Sequence, residues 1–115
     1  MPLLTVHTSE AAPPNPTSLL KSLSTLLARE LGKPESYVMT VLVPDTSMTF
    51  AGTTEPACFA QLKSIGEFSR DTSARLSKVL CATLAEGLRV PQNRIYVEFS
   101  NPPAHLWGYD GETFA

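Results

Sequence analysis

The chain opens with Met1-Pro2, and Pro2 is the first residue whose chemistry could drive a reaction. If the initiator methionine is removed, the nitrogen of Pro2 becomes a free secondary amine. A free α-amino group titrates near ~7.7–8 in peptides, and an apolar wall or a nearby cation lowers its pKa because both disfavour the protonated form. Such an amine would be a neutral general base at physiological pH. Proline is a common residue, so a Met-Pro opening alone does not establish this role.

The other reactive residue types do not form a recognisable site. Cys58 and Cys81 make no CxxC pair, and both are better interpreted as small buried hydrophobic residues than as a disulfide. His7 and His105 lie far apart in the sequence, with no cysteine or carboxylate cluster beside either. We therefore expect neither a metal site nor a cofactor.

Length and composition indicate one folded domain without a nucleic-acid partner. The 115 residues are 43% hydrophobic and 17% charged, with a formal charge of −2 and a pI near 5.6. No apolar segment approaches the ~18 residues of a membrane span, and the N-terminus lacks the cationic region of a signal peptide. We expect a cytoplasmic protein that does not act on membranes.

Apolar periodicity and turn residues predict two strand–helix–strand units. The run behind Pro2 predicts a first strand that buries the terminus. Asn15 caps a helix that starts at Pro16 and ends at Gly32, and a second helix spans Arg70 to Leu88. The remaining predicted strands are Tyr37 to Val43, which should be buried on both faces, Cys58 to Ser64, and Ile95 to Phe99.

The two units repeat in sequence. A shift of 57 positions places Pro34 on Pro91 and Val38 on Ile95. We therefore predict an α/β (α+β) domain of two pseudo-symmetric βαβ halves, about 1–57 and 58–115, which form a four-stranded mixed sheet with two helices on one face. The other sheet face is apolar and uncovered, so we expect the chain to assemble through it, in a ring.

Several short motifs, in order, resemble those of the macrophage migration inhibitory factor branch of the tautomerase superfamily over essentially the whole chain. Each motif alone is weak, and their combined spacing makes the resemblance specific. They are Met1-Pro2, Gly32-Lys33-Pro34 followed by Tyr37, Val43-Pro44-Asp45, Phe50-Ala51-Gly52-Thr53-Thr54-Glu55-Pro56, Ser64-Ile65-Gly66, Leu80-Cys81, Leu84-Ala85-Glu86 and Thr113-Phe114-Ala115.

The resemblance implies a homotrimeric keto–enol tautomerase with sites at the subunit interfaces. Pro2 would be the base, acting on an aryl α-keto acid such as phenylpyruvate, or on dopachrome. Lys33, Ser64 and Ile65 would hold the substrate from the same subunit, and Tyr96 would enter from the neighbour. A lysine beside the base would lower its pKa and stabilise the enolate, although a lysine just after a helix is ordinarily a solvated charge.

The aromatic tail and two departures from the family affect substrate preference. Trp107, Tyr109 and Phe114 would line the site, although such residues are more often core or interface aromatics. Glu98 stands where the family has an asparagine supplied by the neighbour. The mammalian cytokines carry a CxxC pair where this chain has Ala57-Cys58-Phe59-Ala60, so we expect no thiol-redox activity.

Two other functions compete with the tautomerase prediction. Relatives act as cytokines, so the chain could be a signalling protein that binds a host receptor and has vestigial enzymatic activity; the resemblance also allows secretion without a leader. A dehalogenase or decarboxylase of the same superfamily ranks lowest, because it would need further arginines around Pro2 and none falls at a strand end beside the site.

Overall fold

The computed structural model describes all 115 residues and contains one main sheet, two helices and a small C-terminal hairpin. The strand order is β2-β1-β3-β4, with β2 and β4 at the edges. β1 and β3 are antiparallel, whereas β1 with β2 and β3 with β4 are parallel. The elements are β1 (Leu3–Thr8), α1 (Pro16–Leu31), β2 (Met39–Val43), β3 (Cys58–Lys63), α2 (Arg70–Leu88), β4 (Ile95–Ser100), β5 (Gly108–Tyr109) and β6 (Glu112–Thr113).

The helix boundaries agree with the sequence prediction, and capping explains them. The side chain of Asn15 accepts a hydrogen bond from the backbone N–H of Ser18 at 3.1 Å, and Pro16 begins the first turn. Gly32 ends α1 in the left-handed conformation, with φ of 63°. Ser69 caps α2 in the same way as Asn15 caps α1. Helix α2 ends at Leu88, and Arg89, the residue after it, adopts φ of 59° without the freedom of glycine.

Both helices pack on one face of the sheet, so the α+β prediction is confirmed. Alternate residues of each strand point toward the helices, and those on the two central strands are buried. The apolar stripes of α1 and α2 cover them. The largest of these core side chains are Leu4, Val6, Leu23, Leu27, Leu62, Leu76, Leu80 and Leu84, none of which is exposed to solvent.

The second strand differs from its prediction in both start and burial. Tyr37 is not in the strand; it closes a 3-10 turn, in which its N–H donates to the carbonyl of Pro34 at 3.1 Å. The strand begins at Met39, which is 60% exposed. Within one chain β2 is an edge strand and is not buried on both faces. Smaller differences are that β3 ends at Lys63 and β4 continues to Ser100.

Each half of the chain turns into its second strand in the same way. A proline, Pro34 or Pro91, precedes a short 3-10 turn, and Val38 or Ile95 follows it. One helix-ending residue in the left-handed conformation, Gly32 or Arg89, comes before each of these prolines. The paired positions are 57 residues apart.

The second face of the sheet is uncovered within the chain. Leu3, Val41, Phe59 and Tyr96 alternate with the buried positions of their strands and therefore lie on this open face. His7 lies on the same face and stacks on Phe59, with 6.3 Å between ring centroids, yet its buried Nδ1 has no hydrogen-bond partner. Neither helix is long and apolar enough to cross a bilayer.

Candidate active site around the amino terminus

Pro2 lines a mostly apolar cavity of about 240 Å³. Its side chain is fully buried, and its carbonyl oxygen accepts a hydrogen bond from the N–H of Met39 at 3.0 Å. Because this bond ties the terminus to the edge strand β2, Pro2 is held in place before β1 begins. The lining residues are Met1, Pro2, Leu3, Ser36, Tyr37, Val38, Met39, Trp107, Gly108, Tyr109 and Phe114.

An aromatic wall closes one side of this cavity. Tyr109 and Phe114 stack at 5.5 Å with an interplanar angle of 10°, and the edge of Tyr37 meets both rings, at 5.4 and 6.1 Å. The hairpin of β5 and β6 brings the two tail rings together, and the N–H of Phe114 donates to the carbonyl of Trp107 at 3.2 Å. The predicted residues Trp107, Tyr109 and Phe114 therefore surround Pro2 within one subunit.

Lys33 lies in a second cavity of about 240 Å³ together with Ser64 and Ile65. The Nζ atom of Lys33 donates to the carbonyl oxygen of Ile65 at 3.2 Å. Ser64 is buried, and its hydroxyl approaches the same oxygen at 3.4 Å. No carboxylate forms an ion pair with Lys33, so its charge is available to the surrounding space.

The electrostatics of the terminus agree with the base hypothesis. Burial lowers the pKa of the terminal amine of Met1, and the positive charge of Lys33 lowers it further. That amine stands one residue before the nitrogen that Met1 removal would expose, and Pro2 is the more deeply buried of the two. Removal of Met1 would therefore place the free amine at the more buried of the two positions.

Tyr96 and Glu98 are not part of this arrangement within one subunit. Both lie on β4, which β3 separates from β1. Tyr96 is 65% exposed and packs on Phe50, whereas Glu98 accepts a hydrogen bond from Nε2 of Gln61 at 3.1 Å. Either side chain could reach a Pro2 cavity only in another copy of the chain.

Sequence reasoning missed three other features near Pro2. The sequence predicts Tyr37 as the first residue of a strand and as part of a family motif, but not as a residue of the site; its position shortly after Gly32-Lys33-Pro34 was a usable signal. Met39 and Val38 line the cavity because the strand starts later than expected. Lys63 contributes to a wider groove of about 570 Å³, which shares Leu3, Trp107 and Gly108 with the Pro2 cavity.

A larger groove of about 660 Å³ runs along α1 but is a poorer candidate. Its lining is mostly hydroxyl side chains with Lys21 and Arg29, and it contains no group that would be a base at neutral pH. No cluster of three or more His, Cys, Asp or Glu side chains occurs that could hold a metal ion. The Pro2 cavity has an apolar, aromatic lining, and the terminal amine beside it has a pKa lowered by burial and by the charge of Lys33, a combination that suits proton removal from a carbon acid.

Comparisons with known proteins identify the family of the chain. The sequence model of the family described as macrophage migration inhibitory factor matches residues 1–115. The macrophage migration inhibitory factor of Meriones unguiculatus is 37% identical over 115 residues, with both chains fully covered. A homologue from Trichuris trichiura is 39% identical over 114 residues, covering 99% of this chain and 100% of its own.

Solved structures share the fold. A macrophage migration inhibitory factor homologue from Prochlorococcus marinus superimposes with a TM-score of 0.95 at 42% identity, covering 98% of this chain and 99% of that one. The protein from Trichinella spiralis gives a TM-score of 0.91 at 35% identity, covering 97% and 99%.

Proposed function

Since this chain belongs to the macrophage migration inhibitory factor family of the tautomerase superfamily, we propose that it is a keto–enol tautomerase that uses Pro2 as its base. The substrates would be aryl α-keto acids such as phenylpyruvate, and dopachrome. One observation carries the proposal: an amino terminus whose pKa is lowered by burial and by Lys33 lies at an aromatic-walled cavity. No cofactor is needed, because the reaction moves a proton and changes no oxidation state overall.

The proposed reaction has two proton transfers. The neutral Pro2 nitrogen removes a proton from the carbon next to the substrate's carbonyl, and the electron pair of the broken C–H bond forms a C=C bond. The carbonyl oxygen becomes an enolate, which the positive charge of Lys33 would stabilise. The protonated Pro2 then gives its proton to that oxygen, which yields the enol and restores the neutral base.

The aromatic residues and the backbone around Ile65 would orient the substrate. The rings of Tyr37, Tyr109 and Phe114 offer an apolar surface to an aryl group. Lys33 is held by the Ile65 carbonyl and would attract the carboxylate or carbonyl of the substrate. Ser64 supports this corner of the cavity through the same oxygen. A substrate with a ring at one end and charge at the other matches this distribution.

We further propose that the working form is a homotrimer in which each site is completed by its neighbour. Tyr96 and Glu98 cannot reach Pro2 of their own chain, because a whole strand intervenes. The open sheet face carries apolar side chains, and the buried Nδ1 of His7 lacks a partner there. A buried polar atom is normally satisfied, so covering by another copy would explain both features.

A second candidate function is cytokine-like signalling through a protein receptor on a host. The relatives that favour it are named macrophage migration inhibitory factor and are aligned over the full chain. This role would use surface residues and need not require the proton-transfer site. A variant that loses tautomerase activity but keeps its surface would separate the two functions.

The tautomerase proposal can be tested by selective modification of the terminal amine. Cyanate carbamoylates neutral amines, so near pH 6.5 an amine of lowered pKa should react before the lysines. Phenylpyruvate turnover should fall in proportion to the fraction of Pro2 that peptide mapping finds modified. A substrate analogue should protect Pro2 from modification and should preserve the activity. Full activity after complete modification of Pro2 would contradict the proposal.

A further inference from the structure

Arg94 holds the loop of residues 46–57 against the start of β4. Its guanidinium donates to three backbone carbonyl oxygens: from Nε to Pro56 at 2.8 Å, from Nη2 to Glu55 at 3.0 Å, and from Nη1 to Phe50 at 3.2 Å. No carboxylate forms an ion pair with Arg94. The fork of donors is therefore used to fix the path of the loop backbone.

The loop bends so that one ring is placed above β4. Phe50 and Thr53 exchange two backbone hydrogen bonds, both of 3.0 Å, around the two-residue turn Ala51-Gly52. Both turn residues have positive φ, 54° and 76°, and for alanine this conformation is unfavourable. Arg94 braces this turn, because it donates to the Phe50 carbonyl and its Cζ lies 5.1 Å from the centroid of the Phe50 ring.

The ring of Phe50 in turn packs on Tyr96. Their centroids are 5.0 Å apart with an interplanar angle of 55°. Tyr96 is 65% exposed, and its hydroxyl makes no hydrogen bond within the chain. The packing on Phe50 is therefore the specific contact that limits where this exposed ring can point.

We propose that Phe50 and Arg94 are positioning residues that orient Tyr96 for an aryl substrate in the neighbouring subunit's site. The inference rests on the proposed tautomerase function and deepens it, because it names the elements that set aryl preference. Arg94 fixes the loop, the loop places Phe50, and Phe50 sets the tilt of Tyr96. Neither Phe50 nor Arg94 touches the substrate in this scheme.

The test compares Phe50→Leu and Arg94→Gln with the control Arg70→Gln, whose arginine side chain makes no hydrogen bond or ion pair. Each protein is assayed with phenylpyruvate and with 4-methyl-2-oxopentanoate, an α-keto acid without a ring. We expect KM for phenylpyruvate to rise about three- to tenfold in both variants, the range that one aromatic contact can supply. The kcat values and the constants for the aliphatic substrate should stay within about twofold of wild type.

A second measurement does not depend on activity. The ring-proton NMR shifts of Tyr96 report the ring current of Phe50, so Phe50→Leu and Arg94→Gln should both move them toward unstructured values. The shifts of Tyr37 and Tyr109 should not move, and Phe50→Tyr should restore both the Tyr96 shifts and the KM. If Arg94→Gln does not fold, the two Phe50 variants still decide the matter.

The outcomes separate this inference from the function on which it rests. If the wild type is inactive although the Tyr96 ring-proton shifts change in the Phe50 and Arg94 variants, both the aryl-site role and the tautomerase proposal are overturned. If the wild type is active and the Phe50 and Arg94 variants keep its KM for phenylpyruvate, the positioning role alone is overturned. The same holds if the variants lose activity equally toward both substrates.

Discussion

The ammonium group of Lys33 donates a 3.2 Å hydrogen bond to the carbonyl oxygen of Ile65, and this contact holds a cation close enough to depress the pKa of the amino terminus. The two residues lie 32 positions apart, at the end of α1 and in the loop after β3. A lysine that follows a helix would otherwise move freely in solvent. Its attachment to Ile65 is what gives a fixed charge to the site proposed here.

Replacing Lys33 with alanine should weaken catalysis and shift its pH dependence. The cation lowers the pKa of the base, so its loss raises that pKa and moves the acidic limb of kcat/KM to higher pH. Loss of enolate stabilisation should also reduce kcat/KM by about ten- to a hundredfold. The pH–rate profile with phenylpyruvate is the measurement, and Lys78→Ala on α2 is the control. An unmoved limb would remove Lys33 from the site.

Replacing Glu98 with asparagine should raise kcat/KM for phenylpyruvate several-fold to about tenfold. A shift of one unit in the pKa of the base corresponds to about 1.4 kcal/mol, which is about a tenfold change. If Glu98 faces the neighbour's Pro2, its charge repels the substrate carboxylate and favours the protonated base. The substitution should then lower the pKa of that base and move the acidic limb to lower pH. The amide can keep a hydrogen bond to Gln61, which now pairs with Glu98.

The control for this experiment is Glu86→Gln, which removes an exposed charge on α2. If Glu98→Asn has the same turnover and pH profile as wild type, the Glu98 carboxylate is a solvated charge on the edge strand, outside the site.

The trimer should be obligate. Val41 lies opposite Thr5 on the open sheet face, and burial of such a face contributes on the order of several kcal/mol per subunit at roughly 25 cal/mol per Å². Sedimentation at low micromolar concentration should show only trimer for wild type, and Val41→Glu should dissociate it and abolish activity. Ala82→Glu, on the exposed side of α2, should do neither. A folded, active monomer would refute the assembly.

Cys58 should resist alkylation in the folded protein. Burial, together with the smaller effect of the nearby Cys81, raises the pKa of its thiol to about 12, so almost no thiolate is present at pH 8. Cys81 is only partly buried and should react first with iodoacetamide. Mass spectrometry of timed samples gives both rates. Rapid modification of Cys58 would show that this core opens far more often than its packing indicates.

The two helices and the sheet class could be predicted because their signals are local. Asn15, Pro16 and Gly32 mark the ends of α1 by their own backbone chemistry. Arg89 shows the limit of such signals, because it takes the left-handed position without being glycine. Tyr37 shows a second limit: the apolar run predicts a continuous strand there, whereas a 3-10 turn after Pro34 interrupts it.

The candidate site could be predicted only in part, because it is built from distant segments. The cation and the aromatic tail were identified through the family resemblance, and the structure brings Lys33 to Ile65 and the tail rings to Pro2. The relation of Tyr96 and Glu98 to a site depends on a second copy of the chain. The pattern of residues within one chain therefore cannot predict it.

The central claim, that the nitrogen of Pro2 is the base, is tested most directly by retention of Met1. With Met1 attached, this nitrogen is part of an amide and has no basic lone pair. Phenylpyruvate turnover should be measured on samples whose intact masses give the fraction that has lost Met1, with circular dichroism as the check on folding. We predict activity proportional to that fraction, with a folded but inactive Met1 form. Equal turnover by the form that keeps Met1 would contradict the account.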